Sequence, residues 1–189
     1  MGRSFRAARS STGGFFAERR HASLSYPMSQ QIRAADLPYR PCAGMMVFNR
    51  DGRVFAGKRI DQTQEAWQLP QGGIDAGEAP REAALRELKE EIGTSNVAFL
   101  REHPQWLTYD LPENLIGVVW EGRYRGQRVK WFALRFLGTD REINLATPHQ
   151  EFSEWKWLEI GDLLPLAVPF KIDLYTKAIA AFSDLARPC

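Results

Sequence analysis

The chain is short of cysteine, of long apolar runs and of net charge, and each shortage closes off a class of protein. Its two cysteines, Cys42 and Cys189, make no disulfide framework and lack the spacing of a metal site. No apolar stretch approaches the roughly 20 residues that span a bilayer. The longest, Leu115 to Trp120 and Leu163 to Phe170, suit a strand and an irregular segment. No membrane association follows, and a reducing cytoplasm is the simplest compartment. A net charge of +2 over 189 residues excludes a protein that is basic all over, so any cationic patch must be local. His103 and His149 have no neighbours that would make them ligands or acid–base groups, and read as ordinary polar residues.

The small net charge hides an asymmetry. Arg3, Arg6, Arg9, Arg19 and Arg20 face only Glu18 within residues 1–27, a surplus of +4 that leaves −2 for the remainder. Arg- and Ser-rich, acid-poor composition also suits an organellar transit peptide. The favoured reading is a disordered or non-native N-terminal extension over residues 1–35, with Met28 a candidate functional start. Residues 36–189 then form one domain, since 44% hydrophobic and 12% aromatic content is ordinary for a globular chain with a real core.

What the sequence has in abundance is glutamate in one place. Residues 72–94 read GGIDAGEAPREAALRELKEEIGT. Positions three and four apart are neighbours on a helix, so Glu87 faces the same way as Glu90 and Glu91. Three converging carboxylates repel one another, and a bare helix gains nothing from them. A hard divalent cation such as Mg²⁺ turns that repulsion into a binding site and carries phosphates on its other positions. Pro80 suits a first helical turn and Gly93 the left-handed end of one. Ala84, Leu88 and Ile92 recur every four residues, with Leu85 beside them, as a stripe for the core. Arg86 lies four residues from both Glu82 and Glu90 and can steady carboxylates. The glycine pair lets backbone approach a metal, with the Gly72 carbonyl a further ligand. Ordinary solvated Glu/Lys/Arg pairs would explain residues 86–91 alone, but not Gly72 and Glu78 at their spacing.

That spacing resembles the Nudix box: Gly72, five residues, Glu78, seven residues, then Arg86 to Gly93. One position departs, the last, where Thr94 stands for an aliphatic residue that packs rather than reacts. The flanks extend the resemblance over roughly residues 38–185. Tyr39-Arg40-Pro41, Trp67 to Gly73, Gly126-Gln127, Lys130-Trp131-Phe132, Glu151-Phe152, Trp155-Lys156-Trp157 and Pro169-Phe170-Lys171 are similar in content and order to bacterial RNA pyrophosphohydrolases. Their relatives, the invasion-associated diadenosine polyphosphate hydrolases, share the pattern.

The resemblance implies a Nudix fold, an α/β/α sandwich around a mixed β-sheet. It implies Mg²⁺ or Mn²⁺ held by Glu87, Glu90 and Glu91, with Glu151 as a fourth carboxylate. There the family pattern places Pro directly before Glu-Phe, whereas this chain inserts His149 and Gln150. Glu87 or Glu91 serves as the general base, assisted by Arg86. Arg40, Arg59 and Lys171 meet phosphate oxygens, Tyr109 and Phe170 stack a base, and Gln127 hydrogen-bonds a base or ribose. The implied substrate is 5′-triphosphorylated RNA, whose pyrophosphate is removed to start decay. Three alternatives stand beside it: a dinucleoside polyphosphate hydrolase on the same cradle, a sanitiser of oxidised dGTP, and a nucleotide-binding module without catalysis. The intact glutamates weigh against the last.

Along the chain, an apolar run at Cys42–Asn49, the turn Asp51-Gly52 and the alternation of Arg53–Lys58 predict a β-hairpin. Residues 60–66 read as a polar loop. Short strands are expected at Val97–Leu100 and Trp106–Tyr109, a loop at Leu111–Arg125, and strands at Arg128–Leu137 and Glu154–Leu158. A helix follows over Phe170–Ala186, its stripe running through Ile172, Tyr175, Ile179 and Phe182. Trp67, Trp131, Trp155 and Trp157 read as packing residues.

Overall fold

The computed structural model describes residues 33–60 and 66–189. Most of the expected N-terminal extension, residues 1–32, and most of the expected polar loop, residues 61–65, lie outside the described residues. The ordered chain begins with a single 3₁₀ turn at Ala34–Asp36.

A mixed sheet is built around two parallel central strands, β1 (Tyr39–Phe48) and, later in the chain, Gly126–Phe136. They run in register from Tyr39 opposite Gly126 to Phe48 opposite Arg135. The pleat explains their continuous apolar runs. In β1, Cys42, Met46 and Phe48 join one core, and Ala43, Met45 and Val47 join the other, as period-two alternation requires. A strand buried on both faces has no polar side to show.

The predicted hairpin forms between β1 and β2 (Val54–Arg59), but its arms part at once. Beyond the Phe48–Val54 pair, β2 bonds to β3 (Trp67–Gln68) and to the later strand Phe152–Leu158. The space left along β1 is taken by β4 (Gln71–Gly73), with Cys42 opposite Gly73 and Gly44 opposite Gln71. This fork in the sheet, with Pro70 at the branch, is where the site lies. Its glycine-rich arm leads into α1 (Pro80–Ile92), which covers one face through Ala83, Ala84, Leu88 and Ile92.

The two short strands expected at Val97–Leu100 and Trp106–Tyr109 are one edge strand, β5 (Val97–Asp110), antiparallel to β6 (Gly126–Phe136). Its register slips between Phe99 and Arg101 and again between Glu102 and Trp106, around the polar stretch that makes the sequence look broken. Pro104 is tolerated there because an edge strand leaves half its N–H groups unpaired. The final strand is β7 (Phe152–Leu158). Residues 115–120 form no strand: Leu111–Arg125 carries two 3₁₀ turns, Glu113–Leu115 and Val119–Gly122. The segment expected to be irregular after Leu163 holds a four-residue helix, α2 (Leu163–Leu166).

The closing helix, α3, is shorter than expected: Ile172–Phe182, with 3₁₀ turns at Pro169–Lys171 and Ser183–Leu185. Its buried face also differs. Leu174, Tyr175, Ala178 and Phe182 point inward, while Ile172 is exposed and Ile179 only half-buried. Two apolar stripes overlap on this helix, and the one containing the small Ala178 is the one that packs. With α3 on one face and α1 on the other, the α/β/α sandwich is complete. Among the described residues, no helix is long and apolar enough to cross a membrane.

Candidate active site

α1 is held by its ends as the sequence requires. Pro80 occupies the first turn, and Gly93 closes the helix at φ 81°, its N–H donating to the Lys89 carbonyl. Ala79, in the capping position, has no side-chain oxygen. Glu82 supplies the other half of the usual exchange, its carboxylate accepting the Ala79 N–H at 3.2 Å. That use corrects the expected Arg86–Glu82 pairing. Arg86 instead forks onto Glu78, Nε to Oε1 and Nη2 to Oε2, each at 2.8 Å. The same guanidinium donates to Glu87 Oε1 at 2.9 Å and to the Gly73 carbonyl at 2.8 Å, and stands 3.6 Å from Glu90. Arg86 thus ties helix to glycine turn, and its hydrogen bonds hold the Glu78 carboxyl low, at about 2.

Glu87 packs against Gly72 so closely that a Cβ there would fall 1.8 Å from the Glu87 carboxyl carbon. This is the close approach for which the glycine is needed. Glu91 lies deeper, 3% exposed, with Oε2 accepting the Gln71 N–H at 3.1 Å. Burial first, then the charges of Glu151 and Glu87, push its carboxyl well above the ordinary carboxylate range. Burial also raises Glu87, partly offset by Arg86. Glu151, just ahead of β7, is ion-paired with Arg59 at 2.7 Å. The two residues inserted before it do not carry it away from the site. Glu90 is half-buried, and neither it nor Glu91 is among the residues that line the cavity.

The cavity, of about 390 Å³, brings together Arg40, Arg59, Gly72, Glu87, Tyr109 and Gln127 with Glu151, Phe170 and Lys171, while Arg86, Glu90 and Glu91 of the predicted set do not line it. Lys171 is 5% exposed and donates to Gln68 Oε1 at 2.7 Å. Burial, reinforced by the Arg59 charge, lowers its amine to about 7. Tyr109 and Phe170 are in contact at 5.6 Å between centroids and tilted by 35°. Phe170 offers the more open ring, since Tyr109 is buried and donates to Gln127 Oε1 at 2.6 Å. Cys42, behind the cavity wall, is no nucleophile, because burial pushes its thiol up to about 12.

Sequence reasoning missed Gln68 and Gln71. Gln71 links three parts of the site: its N–H reaches Glu91, its amide donates to Gln127, and its Oε1 is buried without a partner. Two glutamines flanking Leu-Pro beside a glycine pair were the available signal. The wall formed by Leu115, Val119 and Trp120 was missed as well.

A NUDIX domain model matches residues 38–178. The chain belongs to the Nudix family. It is 53% identical over 157 residues to an RNA pyrophosphohydrolase of Cereibacter sphaeroides strain KD131, covering 82% of this chain and 97% of that one. The RNA pyrophosphohydrolase of Rhodospirillum rubrum is also 53% identical over 157 residues, covering 83% and 94%. That of Mesorhizobium japonicum is 47% identical over 172 residues, covering 85% and 99%. Among solved structures, a Caenorhabditis elegans Ap4A hydrolase binary complex is similar at TM-score 0.56 and 21% identity, covering 77% of this chain and 98% of that one. At that identity the likeness concerns the fold.

The Nudix box of this chain ends in Thr94, whose hydroxyl accepts the Asn96 N–H at 3.1 Å. Nudix hydrolases generally need a divalent cation. The donors here fit one: hard carboxylate oxygens, one of them on a buried Glu91 whose charge is poorly compensated. Among the described residues, no three acidic, His or Cys side chains stand together ready to hold an ion, and the Arg86 guanidinium sits among the carboxylates.

Proposed function

We propose that the protein removes pyrophosphate from the 5′-triphosphate end of RNA and so starts its decay in the cytoplasm, using Mg²⁺ or Mn²⁺. The observation that carries this reading is one cavity holding Glu87 and Glu151 beside Arg40, Arg59 and Lys171, with the Tyr109–Phe170 pair on its wall. Relatives of that name, matched over nearly their whole length, support it.

Glu87, Glu90, Glu91 and Glu151, with the Gly72 carbonyl, would hold the cation. When bound, it screens phosphate charge, polarises the P–O bond and lowers the pKa of a water. The protein's part is positioning and proton transfer. Arg40 and Arg59 can grip phosphate oxygens through two N–H groups, and Lys171 as a point charge. An arriving phosphate would restore the Lys171 proton that burial loosens. Phe170, backed by Tyr109, offers a face for a base, and Gln127 a polar edge. Glu87 opens on the cavity with its carboxyl raised by burial, which makes it a better acceptor for a water proton than an exposed carboxylate. Glu91 stands behind it as a second acceptor.

The cradle would also suit a dinucleoside polyphosphate. Initial rates with Mg²⁺ on a 5′-triphosphorylated RNA and on diadenosine tetraphosphate separate the readings. Faster release of pyrophosphate from RNA supports the proposal, and preference for the dinucleotide replaces it. Inactivity on both would return the chain to a binding role.

A further inference from the structure

The three cations of the cavity are held in different ways. Arg59 is ion-paired with Glu151 at 2.7 Å, and Lys171 donates to the Gln68 side chain, also at 2.7 Å. Arg40 has neither kind of partner: among the described residues its side chain makes no ion pair and no hydrogen bond. Its guanidinium lies 5.5 Å over the ring of Trp120 and against Gly73, where a Cβ would fall 2.3 Å from Nη2. Arg40, Gly73 and Trp120 also border a second cavity, of about 330 Å³. With open space on two sides, these two uncharged contacts fix the guanidinium.

That choice of partner has a chemical consequence. A carboxylate holding Arg40 would cancel its charge and occupy N–H donors that a phosphate needs. An indole holds a cation through the negative face of its ring and takes none of the N–H groups, which lie in the guanidinium plane. A stacked guanidinium therefore keeps its charge and its whole edge for an incoming oxyanion. It also has fewer orientations to lose when the phosphate arrives.

The loop Leu111–Arg125 is built to bring Trp120 there. Its ends are tied by the Leu111 N–H donating to the Arg125 carbonyl and by the Arg125 guanidinium donating to Asp110, each at 2.8 Å. Loops closed in this way are often functional. Gly117 and Gly122, at φ of 84° and 71°, meet across it: a Cβ on Gly122 would fall 3.0 Å from the Gly117 Cα. Between them Trp120 and Glu121 take left-handed φ of 51° and 58°, which side-chain-bearing residues seldom adopt. Strain of this kind persists where the surroundings dictate the conformation, and it clusters at ligand clamps. Of the two, Glu121 is exposed, and Trp120 is the one that lines the cavity.

We infer that Trp120 is a positioning residue for Arg40: its ring face holds the guanidinium in place and fully charged, with the N–H edge free for a phosphate of the substrate. The inference rests on the proposed activity, in which Arg40 grips the phosphates. Trp120 itself need touch no part of the substrate.

The test is a double-mutant cycle on the full chain with Mg²⁺, reading kcat/KM on a 5′-triphosphorylated short RNA and on diadenosine tetraphosphate. Trp120→Leu should lower kcat/KM roughly 3- to 30-fold, the span of a cation–π contact between exposed and desolvated settings, and Trp120→Phe should recover most of the loss. In an Arg40→Ala background the same Trp120→Leu change should cost less than about twofold. An equal loss in both backgrounds would make Trp120 a plain wall of the cavity and overturn the inference, as would no loss in either. A second series keeps the shape of the loop: mono-, di- and trifluorotryptophan placed at position 120 drain the ring face stepwise. With Arg40 present kcat/KM should fall with each fluorine, and with Arg40→Ala it should stay level; a level series in both refutes the role. Wild type inactive on both substrates overturns the proposed activity instead. The same cycle is then read as affinity for tripolyphosphate with Mg²⁺ by calorimetry, and the same criterion decides for or against Trp120.

Discussion

Lys171 is the buried cation of the cavity, and replacing it with methionine should stabilise the ligand-free protein while weakening its hold on phosphate. Burial lowers its amine from 10.5 to about 7. Below about pH 7 both folded and unfolded chains carry the charge, and the folded state bears the whole penalty, about 5 kcal/mol at ~1.4 kcal/mol per pH unit. Between about pH 7 and 10.5 the folded amine is neutral while the unfolded one keeps its proton. Unfolding then takes up a proton, so stability rises with pH and the penalty disappears. Methionine removes the penalty but leaves Gln68 Oε1 without its donor, a loss of about 1–3 kcal/mol. The difference predicts a gain of about 2–4 kcal/mol near pH 6, shrinking to nothing by about pH 9.5. Urea unfolding of the chelator-treated full chain, followed by tryptophan fluorescence at both pH values, measures it. A variant equally destabilised at both would refute the reasoning, because the loss would then be of packing and not of charge burial.

Three further predictions follow from single contacts. Glu91→Gln keeps an acceptor for the Gln71 N–H and removes a buried charge. Because the folded carboxyl is raised, the metal-free variant should be more stable than wild type above the ordinary carboxylate range and indistinguishable below it, while turnover is abolished; near-normal hydrolysis would sink the assignment of Glu91 to the site. Gly72→Ala should fold, since the Glu87 carboxyl can swing aside, yet lose about 10²-fold in rate from its displacement; steady-state kinetics and a circular dichroism spectrum check both halves. Tyr175→Phe should lower stability by about 1–3 kcal/mol in urea, because it strands the Leu69 N–H that the Tyr175 hydroxyl accepts at 3.1 Å in the core.

How much of this was legible depended on how local each cause is. The box helix could be placed from sequence because its determinants sit within or beside it: Pro80, Gly93 and the stripe of Leu88 and Ile92. The same holds for β1, whose unbroken apolar run has one physical meaning once helices cover both faces. Local spacing misled where a residue had two possible partners. It offered Arg86 a glutamate at Glu82, but Ala79 left a capping N–H that Glu82 satisfies, and Arg86 turned to Glu78 across the loop. β5 looked like two strands because a polar stretch interrupts it, and only its edge position makes the interruption harmless. The roles of Gln68 and Gln71 depend on β3 pairing with β2 and β4 with β1, which no local pattern announces.

Two of the site's departures from ordinary acidity have one origin. Glu91 and Lys171 are each buried within the same fork of the sheet, and burial pushes the acid up and the base down, so both are driven toward neutrality. An acid and a base placed for stability would be paired with one another. Here the structure pairs them elsewhere, Glu91 with a backbone N–H and Lys171 with an amide oxygen, neither of which carries a full charge. Each is therefore left able to gain from an incoming partner of opposite sign. A phosphate chain accompanied by a divalent cation brings both signs at once. On the proposed function, the free energy withheld from the fold would be available to hold that pair, which is why stabilising either residue by substitution should cost function.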